Sequence, residues 1–419
     1  MIISRRAQCN IVLIFIMLQT LSLVCCSRLT IHQQDEMIPT FTLSNNITIP
    51  MVGLGGCGGA VYEHFQSAIN VGYRYIDTAQ SYSWGYKEED VGRAVYEAKL
   101  RYQDNIDDYV YVQTKIHPQD LGYKSTQRAI QLSLDRLQVT SLDSMLLHKP
   151  RCWEGICNNE PEGTWQDSWV ALEEAMYSGI VRSIGICDVD YNILDELLKQ
   201  RIWPTTIQNW MDPFHQDKGL RHRIKEHNEQ HPQHKILYQG YSTLGNQWNM
   251  KGFNENPVLN NPTLQSIAKK HGASVPQVVI QWATREGVMV LPASKNASHQ
   301  KSNLNSYFFT LSDEDMRAID RLDGTAKPKS RDPNEVQLQF VNQLERQQLD
   351  VYWVPPDSSN DSDHVHVGEL KATGDVLKLT SYHGHTFVFK SNTGILTQHN
   401  VDKALGVEQK HDIGISEEL

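Results

Sequence analysis

The sequence lacks a surplus of basic residues, and it contains no basic stripe. Its 419 residues include 39 Lys and Arg against 49 Asp and Glu, which gives a formal net charge of -10. Such a balance argues against nucleic acid or an anionic membrane surface as the main partner. Downstream of the first 27 residues, the sequence also lacks an apolar run of the length that a bilayer span needs. We therefore expect no nucleic-acid partner, and no membrane span once the first segment is removed.

The first segment has the features of a targeting sequence. Arg5 and Arg6 precede an apolar stretch over 11–24, and small residues follow up to Ser27. Basic residues, an apolar stretch and small residues in that order are typical of a secretory signal peptide. We predict a signal peptide over 1–27, with an uncleaved signal anchor as the alternative. The protein is then expected to be secreted or to reside in the endoplasmic reticulum lumen.

Secretory entry predicts glycosylation and permits disulfides. Three Asn-x-Ser/Thr sequons occur, at Asn46, Asn296 and Asn360, so the sequence predicts a glycoprotein. Seven cysteines are present, of which three lie in or beside the signal peptide, while Cys152 and Cys157 flank a short loop. These two can pair in an oxidising lumen or remain two free thiols, and their spacing does not choose between the alternatives.

Between about residues 50 and 325, apolar strand patterns alternate with amphipathic helix patterns. Ile130, Leu134 and Leu137 fall on one helical face, and Ser274 has the position of a helix cap before an early proline. A chain of 419 residues has room for a barrel and a smaller unit. The pattern predicts an α/β protein, and an eightfold (β/α)8 TIM barrel over residues 40–328 accommodates it.

Four polar residues lie at or shortly after the predicted C-terminal ends of strands. Asp77, Lys115 and His148 each close an apolar strand pattern, and Tyr82 follows Asp77 after a short interval. Strand ends at one face of a parallel barrel are where catalytic groups collect. Taken singly, each residue has an ordinary structural explanation, such as a helix cap, a solvated lysine or a core histidine. Taken together, they predict a catalytic acid and the groups that tune it.

These four residue types suit the protonation of a carbonyl oxygen. A tyrosine hydroxyl has a pKa of about 10 in water, which makes it a slow proton donor at neutral pH. The ammonium of Lys115 is expected to lower that pKa, with Asp77 holding the lysine charged and His148 orienting the carbonyl toward Tyr82. Because no side chain carries a hydride, this chemistry implies a nicotinamide cofactor.

In this order, the four residues resemble the active site of the aldo-keto reductase family. The resemblance extends over about two thirds of the chain and is carried by IPMVGLGG (49–56), GYRYIDTAQSY (72–82), GIVRSIG (179–185), YSTLG (241–245) and LSDEDM (311–316). It implies a (β/α)8 barrel and the NAD(P)H-dependent reduction of a small-molecule aldehyde or ketone. It also implies that Tyr82 is the general acid.

The same resemblance implies a set of cofactor-binding residues. Tyr241 matches the family's nicotinamide-stacking tyrosine, and Gln208 matches its carboxamide-binding glutamine. Asp188 replaces an asparagine and so cannot donate to a carbonyl, and neutral His299 replaces an arginine near the 2′-phosphate. The resemblance makes NADPH the expected cofactor, and the neutral His299 keeps NADH as the alternative. The full set is Cys187, Asp188, Gln208, Tyr241, Ser242, Leu244, Ser294, His299 and Asn303.

The sequence pattern changes after residue 324. A linker is expected over 329–345, a small all-β unit over 346–395 and a tail over 396–419. Strand patterns within this unit occur at 349–354, 376–379 and 385–389.

Part of this unit is similar to the β-domain of the von Hippel–Lindau protein, which recognises hydroxyproline in a peptide. The similarity covers about fifty residues, and within it Ser381 and His385 match two hydroxyl-binding positions. Phe387 departs from it, because the family has tryptophan there. The similarity implies an alternative function for the chain, in which the barrel is a scaffold and the β unit binds a hydroxyproline-containing peptide.

Four histidines of the β unit form two His-x-His pairs. The strand period of two would aim each pair to one face. No carboxylate or thiolate accompanies them at ligand spacing, so they are interpreted as solvated strand histidines, and no metal is expected. They are His364, His366, His383 and His385.

Overall fold

The structure is a computed structural model that describes residues 38–102, 109–152, 156–326, 335–344, 347–356, 358, 360–402 and 408–413. The chain divides into two compact units, one ending at Ala326 and the other beginning at Lys327. The predicted signal peptide over 1–27 lies outside the described residues. Among the described helices, none combines the length and the apolar character that a membrane crossing requires.

Eight parallel strands form the centre of the first unit. In chain order, the strands of this unit are Thr40–Thr42 (β1), Thr48–Pro50 (β2), Leu54–Gly55 (β3), Tyr75–Asp77 (β4), Tyr111–Ile116 (β5), Ser144–Leu147 (β6), Ile184–Cys187 (β7), Thr206–Trp210 (β8), Leu237–Tyr241 (β9) and Met289–Val290 (β10). From β3 to β10, each strand pairs with the next one along the chain. A parallel bridge between Val52 and Val290 joins the two outer strands, so the sheet closes on itself. The predicted (β/α)8 fold is confirmed.

One described α-helix follows each strand from β3 to β8, three lie between β9 and β10, and two follow β10. They are Tyr62–Val71 (α1), Glu88–Tyr102 (α2), Tyr123–Leu137 (α3), Trp165–Tyr177 (α4), Tyr191–Leu197 (α5), Lys218–Gln230 (α6), Gln247–Met250 (α7), Pro262–His271 (α8), Val275–Arg285 (α9), Ala297–Leu304 (α10) and Asp313–Asp320 (α11). The side chain of Ser274 accepts from the Gln277 N–H and caps α9, as its position predicted. Ile130, Leu134 and Leu137 are buried on one side of α3.

The hairpin of β1 and β2 contributes to a small apolar cluster at the N-terminal ends of the barrel strands. Leu43 and Ile49, from the hairpin, pack there with Tyr75 and Tyr111, which begin β4 and β5. This packing covers the end of the barrel opposite to the strand C-termini. The C-terminal ends are therefore the side on which polar residues are free to meet a ligand.

The second unit consists of two sheets in which most neighbouring strands are antiparallel. The predicted all-β unit is confirmed. Its strands are Glu335–Asn342 (β11), Leu349–Val354 (β12), Val365–Leu370 (β13), Val376–Tyr382 (β14), Thr386–Ser391 (β15), Gly394–Asn400 (β16) and Glu408–Ile413 (β17). One sheet has the order β14-β11-β17 and the other β13-β12-β15-β16. Phe340 of the first sheet packs against Phe387 and Phe389 of the second, within one buried cluster.

The expected linker and tail contain strands, which corrects two predicted boundaries. Strand β11 falls within 329–345, where Val336, Leu338 and Phe340 alternate with polar residues and are buried. Strand β17 and most of β16 fall within 396–419. β17 pairs in parallel with β11, about seventy residues earlier in the chain. Such long-range pairing leaves no mark in local periodicity, so the sequence did not reveal it.

Candidate active site

Asp77 and Lys115 form a buried ion pair at the C-terminal ends of β4 and β5. Lys115 Nζ lies 2.6 Å from Asp77 Oδ2 and 3.0 Å from the carbonyl oxygen of Thr78. Lys115 is 0% exposed and Asp77 is 3% exposed. Each charge therefore depends on the other, because water does not reach the ammonium.

Buried amides hold the second oxygen of Asp77. Gln113 Nε2 and Gln208 Nε2 donate to Asp77 Oδ1 at 2.7 and 3.2 Å. Both amides also donate to Gln239 Oε1, at 2.8 and 2.9 Å. The Oε1 atom of Gln208 accepts from the Cys187 thiol at 3.6 Å. The predicted carboxamide-binding glutamine thus has its NH2 group committed to the network around Asp77, which leaves its oxygen as the atom available to a ligand.

His148 directly follows β6, and residues of one segment surround its ring. Ser81 Oγ lies 2.8 Å from His148 Nδ1. Trp84 and Tyr86 approach the imidazole edge-on, with ring centroids 4.8 and 5.6 Å away. Burial, together with the charge of Lys115, holds the pKa of His148 well below its usual range. The imidazole is therefore neutral near pH 7.

Tyr82 does not join this group, contrary to the prediction. It begins the short 3-10 helix Tyr82–Trp84, and 43% of its surface is exposed. Its hydroxyl donates to both carboxylate oxygens of Glu89 at 2.8 and 3.0 Å, and the Arg136 guanidinium lies 4.6 Å from its ring centre. Partial burial and the hydrogen bond to Glu89 raise the pKa of Tyr82. This environment opposes the activation that was expected from Lys115.

Tyr86 occupies the position that was expected for Tyr82. It is 9% exposed, and Lys115 Nζ lies 4.8 Å from its ring centre. Its side chain also lies near the thiol of Cys57. The structure therefore groups the ion pair and His148 with Tyr86.

The turn formed by Tyr82–Trp84 explains the displacement. Gly85 follows it with φ 80, and a Cβ at Gly85 would lie 2.4 Å from the nitrogen of Gly59. The Gly59 N–H donates to the Gly85 carbonyl oxygen at 3.1 Å, which fixes the turn against the loop after β3. The turn lengthens the path from Asp77 to the buried Tyr86, so the tyrosine nearest to Lys115 lies four residues further along the chain than Tyr82. The available signal was a second tyrosine, Tyr86, two residues before the acidic start of α2.

Burial and the charge of Asp77 raise the pKa of Tyr86 above its usual range. The expected lowering by Lys115 is not found, because Asp77 neutralises the lysine at close range. A phenol with a raised pKa is protonated at neutral pH. Tyr86 is thus a group that holds a proton until a strong base is generated beside it.

A second polar group lies at the ends of β7 and β9. Tyr241 donates from its hydroxyl to Asp188 Oδ1 at 2.9 Å, and Lys149 Nζ pairs with the other oxygen. Lys149 Nζ also lies 5.4 Å from the ring centre of Tyr241. Asp188 stands where the resemblance expects an asparagine, and Lys149 supplies the donor that a carboxylate lacks. The sequence reasoning missed Lys149, although it directly follows His148 in the chain.

The predicted phosphate-binding residues lie around the N-terminus of α10. The Asn296 side chain caps this helix, and Ser294 precedes it. His299 is exposed in its first turn, and Lys295 donates to the carbonyl oxygen of Gly58 at 3.1 Å. A helix N-terminus with a hydroxyl and an ammonium beside it fits an anionic phosphate. The donor set is thus compatible with the dinucleotide that the resemblance implies.

The contacts of the remaining predicted cofactor residues do not indicate a ligand. Ser242 has φ 53, and Leu244 is partly buried against the barrel core. Asn303 is buried, and its side chain lies near that of Tyr73. These contacts shape the loop after β9 and the packing of α10 without marking a ligand.

Cys152 and Cys157 form a disulfide in the loop after β6, with their Cα atoms 5.9 Å apart. Of the two alternatives left open by their spacing, the structure has the paired one. Cys57 and Cys187 are free thiols. Burial raises the pKa of both, so neither is poised as a thiolate.

In the C-terminal unit, the structure brings Ser381 and His385 together. Ser381 Oγ lies 2.9 Å from His385 Nδ1, and Ser381 is buried. The ring of Trp353 lies 5.2 Å from that of His385. The two predicted hydroxyl-binding residues therefore share a site beside an aromatic ring.

His366 lies near two carboxylates that the sequence pattern did not place beside it. Potential ligand atoms of Asp350, His366 and Glu369 lie within 4.8 Å of one another. A register shift between β12 and β13 allows His366 and Glu369, three positions apart, to share a face. Because exposed acidic groups are common without an ion, we assign no metal to this group.

The fold and the site together define a class of protein. A (β/α)8 barrel that carries a buried lysine–aspartate pair, a neutral histidine and a protonated tyrosine at its strand C-termini is a barrel oxidoreductase. The model of the Aldo/keto reductase family matches residues 60–324. The chain belongs to this family, and the match ends before the C-terminal unit begins.

Similar proteins come from distant organisms. The chain is 33% identical over 286 residues to the 9,11-endoperoxide prostaglandin H2 reductase of Trypanosoma cruzi, covering 67% of this chain and 90% of that protein. It is 32% identical over 306 residues to the glyoxal reductase of Bacillus subtilis, covering 72% and 98%.

Solved structures show the same barrel. An aldo/keto reductase from Brucella melitensis aligns with a TM-score of 0.56 at 29% identity, covering 68% of this chain and 100% of that one. A Bombyx mori aldo-keto reductase in complex with NADP aligns with a TM-score of 0.60 at 24% identity, covering 70% and 95%. The second likeness shows the fold alone.

We predict that Asp77→Asn lowers the free energy of unfolding by about 3–5 kcal/mol, because it leaves the Lys115 ammonium buried without a counter-charge. Urea denaturation followed by circular dichroism measures this change. The double variant Asp77→Asn/Lys115→Met should recover most of the loss, since no charge then remains buried. A single variant as stable as the parent, or a double variant less stable than the single one, contradicts the assignment.

Proposed function

We propose that the chain reduces an aldehyde or ketone to an alcohol with NADPH, and that Tyr86 is the general acid. One observation carries the proposal. Tyr86 is buried with its ring 4.8 Å from Lys115 Nζ and 5.6 Å from the His148 ring, whereas Tyr82 is bound to Glu89. Membership of the Aldo/keto reductase family supports the reaction type.

Reduction needs a hydride at the carbonyl carbon and a proton at the carbonyl oxygen. When bound, NADPH supplies the hydride. Tyr86 donates the proton, and its raised pKa keeps it protonated until charge develops on the oxygen. His148 presents Nε2 to the carbonyl oxygen, because Ser81 occupies Nδ1. The Lys115 ammonium, fixed by Asp77, then stabilises the phenolate that remains.

The residues that suit the dinucleotide lie at two places. Tyr241 offers a ring face for the nicotinamide, and the Lys149–Asp188 pair offers both a donor and an acceptor for its carboxamide. Lys295 and His299, at the N-terminus of α10, suit the phosphate of the adenosine half. The ammonium of Lys295 favours NADPH over NADH, although its present partner is the backbone of the loop after β3.

The substrate is proposed as a small-molecule carbonyl compound. The similar protein of Bacillus subtilis is named for the reduction of glyoxal, which is a dialdehyde. The name of the Trypanosoma cruzi protein specifies an endoperoxide, which is not a carbonyl group. The glyoxal reductase therefore supports a carbonyl substrate, and the choice of carbonyl is left to the loops of this chain.

We expect Tyr86→Phe to lower kcat/KM for carbonyl reduction by about 10²–10⁴-fold, because it removes the proton donor. The matched variant Tyr82→Phe should stay within about twofold, since its hydroxyl serves Glu89. Oxidation of NADPH is followed by absorbance with a panel of aldehydes and ketones. Full turnover by Tyr86→Phe, or a large loss in Tyr82→Phe alone, would return the role to Tyr82. If the parent neither binds a dinucleotide nor reduces any carbonyl, the proposed reaction is wrong.

We propose, further, that the chain enters the secretory pathway as a glycoprotein. The Cys152–Cys157 disulfide supports an oxidising compartment. The three sequon asparagines, Asn46, Asn296 and Asn360, are all exposed. Protein made in eukaryotic cells should lose apparent mass on treatment with an N-glycosidase. Replacing each asparagine by Gln assigns the sites, and an unchanged mass in the parent protein contradicts the proposal.

As a second candidate function, we propose that the C-terminal unit binds a hydroxyproline-containing peptide. The support is the contact of Ser381 with His385 beside Trp353. Matched proline and 4-hydroxyproline peptides, immobilised and offered the full chain, test it. Preferential recovery with hydroxyproline that is lost in Ser381→Ala is expected, and equal recovery with both peptides ends the proposal.

A further inference from the structure

One serine of the site is assigned no contact with substrate or cofactor in the proposed reaction, and its hydroxyl lies against the imidazole of His148. Ser81 is 1% exposed, and its hydroxyl lies 2.8 Å from His148 Nδ1. It precedes the turn that separates the two tyrosines. Among the described residues, His148 Nδ1 is the hydrogen-bond partner found for the Ser81 hydroxyl, and no second acceptor is found for the hydroxyl proton.

The direction of this hydrogen bond follows from the burial of both partners. His148 is neutral, so one ring nitrogen carries a hydrogen and the other has a lone pair. If Nδ1 carried the hydrogen and donated to Ser81, the serine proton would be buried without an acceptor. If Ser81 donates to the lone pair of Nδ1, every hydrogen of the pair is used. The second arrangement is favoured, and it requires the hydrogen to be on Nε2.

We infer that Ser81 is a positioning residue that sets the tautomer of His148, so that Nε2–H faces the carbonyl oxygen of the substrate. This inference rests on the proposed function for its consequence, because only an Nε2 donor can orient a carbonyl oxygen. The opposite tautomer would present a lone pair to the carbonyl oxygen and repel it.

The surroundings of the His148 ring leave its tautomer to be set by the hydrogen bond with Ser81. Trp84 and Tyr86 face the imidazole edge-on from the same segment as Ser81, at 4.8 and 5.6 Å. They restrict rotation of the ring and offer it no competing hydrogen bond. Lys115 adds a positive charge that disfavours protonation of both nitrogens together. The neutral ring therefore has Ser81 as the partner that distinguishes its two nitrogens.

The test reads the tautomer directly. Long-range proton–nitrogen NMR spectra of the full chain, labelled with ¹⁵N at histidine and free of cofactor, report which ring nitrogen carries the hydrogen. The signals of His148 are those missing from His148→Gln. We expect hydrogen on Nε2 in the parent and in Ser81→Thr, which keeps the hydroxyl, and a mixture of tautomers in Ser81→Ala. Ser168→Ala, which changes another buried serine, should leave the His148 signals unchanged.

Turnover gives the second readout. Ser81→Ala should lower kcat for carbonyl reduction by about 10- to 100-fold, by analogy with the loss that follows when the hydrogen-bond partner of a metal-bound histidine is removed. Ser81→Thr should restore most of it. Hydrogen on Nδ1 in the parent overturns the inference, and so does an unchanged tautomer in a folded Ser81→Ala. If Ser81→Ala does not fold, the parent and Ser81→Thr spectra still decide the question. A protein that shows the expected tautomer but reduces no carbonyl overturns the proposed reaction and not the tautomer.

Discussion

The buried pairing of Lys115 with Asp77 is the interaction on which the rest of the site depends. An ammonium without access to water is stable only beside a fixed counter-charge, and the amides of Gln113 and Gln208 fix that counter-charge in turn. This network connects β4, β5 and β8, which carry Asp77, Lys115 and Gln208, into one rigid unit. The tyrosine and the histidine then have a constant electrostatic environment against which to pack.

The ion pair also changes how the charge of Lys115 acts on neighbouring side chains. A lone ammonium would draw a proton off a nearby phenol, but a neutralised one leaves the phenol protonated, as the raised pKa of Tyr86 indicates. The arrangement therefore keeps the hydroxyl of Tyr86 protonated. In the proposed reaction, the charge on Lys115 acts when a phenolate forms beside it, because the negative charge then needs stabilisation.

Much of this could be predicted from the chain alone. Asp77, Lys115 and His148 were identifiable because a parallel barrel brings strand ends together, and the strand ends are visible in the apolar pattern. The placement of Tyr82 apart from these three residues could not be predicted, because a turn closed by Gly85 displaces the chain, and the conformation of that turn depends on contacts with a distant glycine loop. In the C-terminal unit, local alternation revealed β12, while the parallel pairing of β11 with β17 depends on residues far apart in sequence.

The disulfide between Cys152 and Cys157 closes a ring of six residues that begins four positions after His148. Loops at this end of a barrel ordinarily choose the substrate through their shape, and a free loop loses entropy each time it adopts that shape. A covalently closed loop has lost much of that freedom before any ligand arrives. Reduction of this one bond would remove the covalent restraint from the segment that follows His148.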